Sequence, residues 1–101
     1  MRTRYMSYAD YGITNEEKEH ILDFCRNANE VEIKIIDDAL SELNEYIRPY
    51  IKRSLVEGIS YDRIVVKDEI YLSKEDFYGW RRKGIAAISR WMIWNRLSDA
   101  W

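Results

Sequence analysis

The sequence predicts an all-α protein, a small bundle of about four helices. Two segments, Thr14 to Glu17 and Asn29 to Glu32, place a capping side chain three residues before a Glu, and this pattern starts helices. Behind each cap, apolar residues recur at steps of three and four, the period of an amphipathic helix. The chain has 101 residues, of which 47% are hydrophobic, enough to bury one core. We therefore expect residues 1–101 to form a single helical domain.

The first twelve residues show no helical period and predict an extended or loosely turned arm over residues 1–12. The arm carries Tyr5, Tyr8 and Tyr11 at a spacing of three, and we expect these rings to pack on the body of the protein. A first helix should follow from about Asn15 to Asn27. Its buried face consists of Ile21, Leu22, Phe24 and Cys25. Cys25 is thus expected to be a core residue and not a reactive thiol.

The second helix should begin after Asn29 and carry one apolar stripe. That stripe consists of Ile33, Ile36, Leu40, Leu43 and Ile47. Pro49 has no N–H and its ring crowds the preceding turn, so the helix must kink or restart near Arg48. Because the apolar spacing continues as far as Leu55, we favour a kinked helix that continues to Glu57.

Residues 58–72 carry the signals for a short third helix. Gly58 suits the left-handed position that ends a helix, and Ser60 suits the cap of the next one. Two predictions for residues 64–72 stay open. One is a helix from Tyr61 to Val66 followed by a loop, and the other is a helical turn followed by a short β-hairpin. The β-hairpin is an alternative because β-branched residues in this segment favour strands.

Ser73 should cap a last helix that runs from Lys74 to about Leu97. Asp76 stands three residues after the cap, as in a capping box. Gly84, in the middle of the helix, would let a neighbouring helix come close at a cost of about 1 kcal/mol in helix propensity.

The net charge of −2 hides a segregation of charge along the chain. Residues 10–45 hold eleven acidic and three basic side chains, whereas residues 46–101 hold eleven basic and seven acidic ones. This asymmetry predicts either a basic face for nucleic acid or two halves that pair with each other within the fold.

Several classes of function find little support in the composition. One His, one Cys and no Gly-rich phosphate loop leave no nucleophile set and no metal site, so we expect no enzyme and no cofactor. The longest apolar run is too short to cross a bilayer, and the N-terminus lacks the apolar core of a signal sequence. We therefore expect a cytoplasmic protein without a membrane partner.

The last helix carries the candidate DNA-binding residues. Its N-terminal half holds four of them, Lys74, Tyr78, Arg81 and Arg82, and Lys52 with Arg53 would add phosphate contacts. A basic helix presented by a preceding short helix is the arrangement that reads the major groove of double-stranded DNA. The alternative is a helix whose basic face is simply solvated.

Two segments resemble helix-turn-helix regulators. Residues 58–64, GISYDRI, resemble the G-x-S-Y-x-x-I opening of the helix-turn-helix in sigma-factor region 4. Leu72-Ser73 followed by residues 77–83, FYGWRRK, resembles the recognition helix of ArpU-type phage late-gene regulators. The resemblance spans about residues 43–92. It implies a transcription regulator of phage or prophage origin, with Tyr78, Arg81 and Arg82 at the DNA-facing positions.

Two other functions stay open. The acidic helix from Glu30 to Glu45 could present a DNA-like negative surface, as a phage-encoded inhibitor of a host protein would. Alternatively, a structural or assembly protein would form a homodimer through its C-terminal helix, because exposed aromatic residues often anchor interfaces. The interface residues would be Trp91, Trp94 and Trp101.

Overall fold

The predicted all-α class is confirmed by the computed structural model, which describes residues 5–68 and 70–94. These residues contain no β-strand. They form five α-helices: α1 (Asn15–Arg26), α2 (Glu30–Leu40), α3 (Arg48–Lys52), α4 (Tyr61–Asp68) and α5 (Lys74–Trp94). A 3-10 turn, Ala9–Tyr11, precedes α1, and a π-helical turn, Arg53–Glu57, directly follows α3. Within the same residues, no helix combines the length and apolar content needed to span a membrane.

Both predicted capping boxes are present. At the start of α1, the Glu17 amide donates to Thr14 Oγ1 at 3.1 Å and the Thr14 amide donates to Glu17 Oε1 at 3.3 Å. At the start of α2, Asn29 and Glu32 exchange the same pair of hydrogen bonds, each 2.9 Å long. Each box satisfies two backbone N–H groups with local side chains, so the sequence alone fixes where these helices begin.

The prediction of one kinked helix through Glu57 is wrong. α2 ends at Leu40, and the chain turns through residues 41–47 before α3 begins. Arg48 secures these turns, since its Nη2 donates to the carbonyls of Ser41 at 3.3 Å and of Leu43 at 3.1 Å. The apolar spacing beyond Leu40 thus reflects burial and not a continuous helix.

Of the two predicted effects of Pro49, a kink or a restart near Arg48, the structure shows the restart. It lies in the first turn of α3, where a missing N–H leaves no hydrogen bond unmade and the fixed φ suits the helix. The turn before it is supported by Asn44, whose Oδ1 accepts from the Tyr46 amide at 2.8 Å. Pro49 therefore starts a helix and does not kink one.

Gly58 ends the π-helical turn in the left-handed conformation, with φ of 71°, as predicted. Ile59 packs against the core beside it, and the Arg63 amide donates to Ser60 Oγ at 3.4 Å at the start of α4. Of the two alternatives for residues 64–72, the β-hairpin is wrong and the short helix is correct, since α4 extends to Asp68.

The contacts of α4 explain why these residues form a helix and not strands. Ile64 is fully buried, and Val66 lies on the solvent side. The Tyr61 hydroxyl donates to the Leu72 carbonyl, and its ring centroid lies 5.2 Å from that of Phe77 in α5. Tertiary packing on one helix face therefore overrides the local β propensity.

Residues 5–12 of the N-terminal arm adopt the turned form of the predicted extended or loosely turned arm, with a 3-10 turn at Ala9–Tyr11. The Ser7 amide donates to Asp10 Oδ2 at 2.8 Å, and the Asp10 amide donates to Ser7 Oγ at 3.2 Å. Tyr8 and Tyr11 pack against the core as expected, but Tyr5 is 66% exposed. Residues 5–12 of the arm therefore pack on the core through Tyr8 and Tyr11.

α5 packs most extensively on α2 and also on α1 and α3. Gly84 lies at the closest approach, because a Cβ at this position would be 3.0 Å from Leu40 Cδ2 and 3.2 Å from Ile51 Cγ2. The predicted close approach at Gly84 is thus confirmed. The last helix begins at Lys74 as predicted, and the expected end at Leu97 lies outside the described residues.

Gly84→Ala should destabilise the fold. Alanine adds about 1 kcal/mol of helix propensity, but its methyl group crowds two fully buried neighbours, and overpacking costs about 1–3 kcal/mol. We expect a net loss of about 1 kcal/mol in the free energy of unfolding, measured by chemical denaturation. In a Leu40→Ala background, which lacks the crowded Cδ2, the same substitution should cost less or stabilise. Equal effects in both backgrounds would show that Gly84 makes no tight contact.

Candidate nucleic-acid interface

Three of the predicted DNA-binding residues meet in one groove. Lys74, Tyr78 and Arg82 stand one turn apart on α5 and, with Glu75, line a groove of about 310 Å³. Lys74 is exposed, whereas Tyr78 and Arg82 are partly buried. The groove therefore combines two cations with an aromatic hydroxyl, and one carboxylate lies at its edge.

The start of α5 is fixed from two directions. The Ser73 hydroxyl oxygen accepts from the Asp76 amide at 3.2 Å, and the Ser73 carbonyl accepts from the Phe77 amide at 2.9 Å. Phe77 is fully buried, and its ring contacts that of Tyr78 edge-on with centroids 5.4 Å apart. Tyr78 is thereby held at the groove by its core neighbour.

Arg82 also lines a second cleft. It has a volume of about 340 Å³ and is lined by residues 5–8 of the arm together with Arg82. The Arg82 Nε donates to the carbonyl of Met6 at 2.7 Å. Arg82 is thus a wall shared by both clefts, and it ties the arm to α5. The sequence does not predict that the arm lies beside Arg82, although the spacing of the arm's tyrosines predicts that they pack on the body of the protein.

Arg81 lies apart from this groove. Its Nε donates to Ser54 Oγ at 3.0 Å, and Ser54 is a buried residue of the π-helical turn. The positive charge of the Arg81 guanidinium opposes the rise in the pKa of Cys25 that burial causes. Arg81 therefore connects α5 to the π-helical turn, in contrast to the adjacent Arg82.

The other two predicted phosphate contacts, Lys52 and Arg53, do not line the groove either. Lys52 Nζ lies 2.9 Å from Asp37 Oδ1 of α2. Arg53, in the π-helical turn, is partly buried and interacts within the protein. Both cations are thus already engaged with neighbouring groups.

The acidic helix pairs with basic residues from the second half of the chain. Asp37 receives Lys52, and Glu42 beyond the end of α2 receives Arg90 of α5. Trp91 Nε1 also donates to Glu42 Oε2 at 3.3 Å. Two carboxylates of residues 10–45 therefore form ion pairs with cations of residues 46–101. This is one of the two arrangements that the segregated charges predict, in which the two halves of the chain pair with each other.

The C-terminal end of α5 carries an exposed aromatic and apolar pair. Trp94 is 69% exposed and Ile93 is 57% exposed. The rings of Trp91 and Trp94 meet edge-on with centroids 5.6 Å apart. Trp91 is partly buried against the core, so Trp94 is the outer member of the pair. Trp101, the third predicted interface residue, lies outside the described residues.

Cys25 is a core residue, as predicted, since none of its side chain is exposed. Burial raises the pKa of the Cys25 thiol to about 12, against the smaller opposing effects of the Arg81 and Arg26 guanidinium groups. Burial likewise raises the pKa of the Tyr11 phenol, against Arg82 and Arg90. Among the described residues, no group of three or more His, Cys, Asp or Glu side chains is placed to hold a metal ion.

Comparisons with protein-family models, with curated proteins and with solved structures find no match for this chain. The resemblance of residues 43–92 to ArpU-type and sigma-factor helix-turn-helix segments therefore stays a prediction from the residues quoted above. The geometry around Arg82 is the further observation that bears on function.

The native Cys25 thiol should be unreactive. A thiol whose pKa is raised on folding stabilises the native state below the pKa of the unfolded thiol, about 8.5, and this contribution is lost as the pH rises toward 12. At pH 8 we expect Ellman's reagent to label the native protein far more slowly than the protein unfolded in guanidinium chloride. Equal rates would contradict the burial of Cys25. A Cys25→Ser variant provides the background rate.

Proposed function

We propose that this chain is a DNA-binding transcription regulator of phage or prophage origin that acts in the cytoplasm. It contacts double-stranded DNA with the N-terminal half of α5. The observation that carries the proposal is the convergence of Lys74, Tyr78 and Arg82 on one groove. Cationic and hydroxyl groups on an exposed helix face are the groups that proteins use to contact DNA phosphates.

The order of α4, a short connection and α5 supports a helix-turn-helix role for this part of the chain. The Tyr61 hydroxyl reaches Leu72 just before α5, and its ring packs against Phe77 inside α5. These contacts hold α4 beside the start of α5, so α5 would be the helix presented to the major groove. The implied roles of Tyr78 and Arg82 agree with the groove that they line.

Arg81 has a different part in this proposal. Its hydrogen bond to Ser54 makes it a positioning residue that fixes the rotation of α5 about its axis. With α5 held in this way, Lys74 is the exposed cation of the groove, and Arg82 is the cation nearer the arm. Glu75 opposes phosphate at the groove edge, which limits how much affinity the two cations can contribute.

Lys74→Glu should weaken DNA binding without unfolding the protein. It reverses the charge of an exposed groove residue, so we expect about a tenfold loss of affinity for mixed-sequence duplex at low salt, or about 1.4 kcal/mol. The slope of log K against log salt should fall by about 1. Fluorescence anisotropy at low and physiological salt measures both quantities.

The matched control is Lys34→Glu, which makes the same charge change at an exposed position of α2. It should lower affinity much less than Lys74→Glu. Equal losses would mean that net charge alone governs binding, and no binding by the wild type at low salt would overturn the proposal. Substitutions of Arg81 or Arg82 test it less cleanly, because each side chain also holds parts of the fold together.

A second candidate function is self-association through the C-terminal end of α5. Ile93 and Trp94 form an exposed apolar pair, and a second copy of the chain could cover both. A dimer is compatible with the DNA-binding proposal, since helix-turn-helix proteins often bind two half-sites. The alternative of an acidic inhibitor has less support, because Asp37 and Glu42 are already paired with Lys52 and Arg90.

Trp94→Glu should shift the protein toward the monomer. A charge placed in a buried apolar contact would have to be desolvated, so the dimer would dissociate at concentrations where the wild type stays associated. Sedimentation velocity over a concentration series measures the shift. Val31→Glu, at another exposed apolar position on α2, is the control and should not change the oligomeric state. A wild type that stays monomeric throughout the series would contradict self-association.

A further inference from the structure

Two arginines, Arg26 of α1 and Arg81 of α5, contact the segment of the chain that ends at Gly58. The Arg26 guanidinium lies against Gly58, because a Cβ on that glycine would overlap the guanidinium carbon and both Nη atoms. Arg81 Nε donates to Ser54 Oγ at 3.0 Å. Ser54 and Gly58 are four residues apart at the end of the π-helical turn, and residues with this spacing are neighbours on a helix surface. The two guanidinium groups are therefore held at neighbouring positions of one helical turn.

Both guanidinium groups have N–H donors left for a ligand. Arg26 is exposed. Arg81 uses its Nε on Ser54, whereas its two Nη atoms form no hydrogen bond with the described residues and are not buried. A ligand that approaches from solvent can therefore reach donors of both side chains.

The positive charge at this place is not balanced by an ion pair. Within residues 5–68 and 70–94, no carboxylate lies within ion-pair distance of Arg26 or Arg81, although Asp23 precedes Arg26 by three residues on α1. Both positive charges also oppose the rise in the pKa of the Cys25 thiol, an effect that weakens with distance. Two cations near the same residue, neither with a carboxylate partner, favour an anion from outside the chain.

A phosphate group matches two guanidinium groups better than a carboxylate does. Each guanidinium presents a planar fork of N–H donors, which forms charge-assisted and often bidentate hydrogen bonds with phosphate. A carboxylate has two oxygens and a single charge, whereas a phosphomonoester has three terminal oxygens and a charge of about −1.5 to −2 at pH 7. A phosphate group can therefore accept from both forks at once.

We infer that Arg26 and Arg81 bind one phosphate group between them. Gly58 leaves room for the Arg26 guanidinium, and Ser54 holds Arg81. Two sources carry this chemistry: a free phosphate or phosphomonoester, and the backbone of a nucleic acid. The site does not rest on the proposed function, because neither arginine lines the groove at the start of α5.

The first experiment follows thermal unfolding while inorganic phosphate replaces chloride at constant ionic strength. A ligand that binds the native state raises the Tm as its concentration rises, and this dependence gives the Kd. Arg26→Gln should raise the Kd for phosphate about tenfold, because it removes the charge-assisted hydrogen bonds of one fork. Lys34→Gln makes the same charge change at an exposed position of α2 and should keep the wild-type Kd. Phosphate also stabilises proteins through its exclusion from their surface, and this general effect is the same in all variants.

Two further variants keep the net charge of the protein. Gly58→Asn suits the left-handed backbone, but its side chain displaces the flexible end of Arg26, so it should weaken phosphate binding as Arg26→Gln does. Arg81→Lys retains the charge and removes the fork, so it should weaken binding by a similar factor. The Tm of each variant in chloride checks that it folds. Equal Kd values for the wild type and Arg26→Gln would overturn the site, and a wild-type Kd in Arg81→Lys would overturn the pairing of the two arginines.

Duplex DNA distinguishes the two sources of phosphate. If the site takes the backbone of a nucleic acid, Arg26→Gln weakens duplex binding more than Lys34→Gln does, and the slope of log K against log salt falls by about 1 in fluorescence anisotropy. If the site takes a free phosphate, the two variants bind duplex equally while their Kd values for phosphate still differ. Both results sustain the site. A wild type that binds phosphate but no duplex at low salt would overturn the proposed function and leave the phosphate site in place.

Discussion

The close approach of α5 to α2 and α3 at Gly84 positions most of the molecule. Because Gly84 has no side chain, the backbone of α5 lies against Leu40 and Ile51, and the remaining apolar residues of α5 pack on both sides of this contact. α5 has 21 residues and is therefore about 30 Å long. One rigid helix thus carries the basic groove at its first turns and the exposed Trp94 at its last described turn. The two candidate surfaces are placed together by the same packing but lie too far apart to form one site.

The adjacent arginines Arg81 and Arg82 of α5 contact different parts of the protein, and helix geometry explains why. Successive side chains on an α-helix diverge by about 100°, so Arg81 and Arg82 cannot share a face. Arg81 Nε donates to Ser54 Oγ in the π-helical turn, whereas Arg82 Nε donates to the Met6 carbonyl and the Arg82 side chain lines the groove. The spacing of Lys74, Tyr78 and Arg82 could be predicted from the sequence. The inward position of Arg81 could not, since it depends on a π-helical turn that no apolar period indicates.

The features that could be predicted from the sequence are those decided by neighbours in the chain. The capping boxes at Thr14 and Asn29 and the left-handed Gly58 involve a few consecutive residues, and all are confirmed. The features that could not are decided by distant contacts. α2 stops at Leu40, and Arg48 holds the turns after it. The choice between the two predicted alternatives for residues 64–72, a short helix or a β-hairpin, depends on the burial of Ile64 in the common core. In both places, tertiary contacts outweigh the local structure that the sequence pattern favours: a continued helix after Leu40, and strands in residues 64–72.

Charge pairing narrows where an anionic partner can bind. Lys52 and Arg90 form ion pairs with Asp37 and Glu42. Part of the positive charge of residues 46–101 is therefore neutralised by residues 10–45. The cations of α5 that line a cleft lie instead at its first turns, next to an arm that is held by one of them. Arg82 Nε donates to the Met6 carbonyl, and the same side chain lines the groove, so a different rotamer of Arg82 would change the contact with the arm and the lining of the groove together. The arm and the groove therefore depend on the position of one side chain.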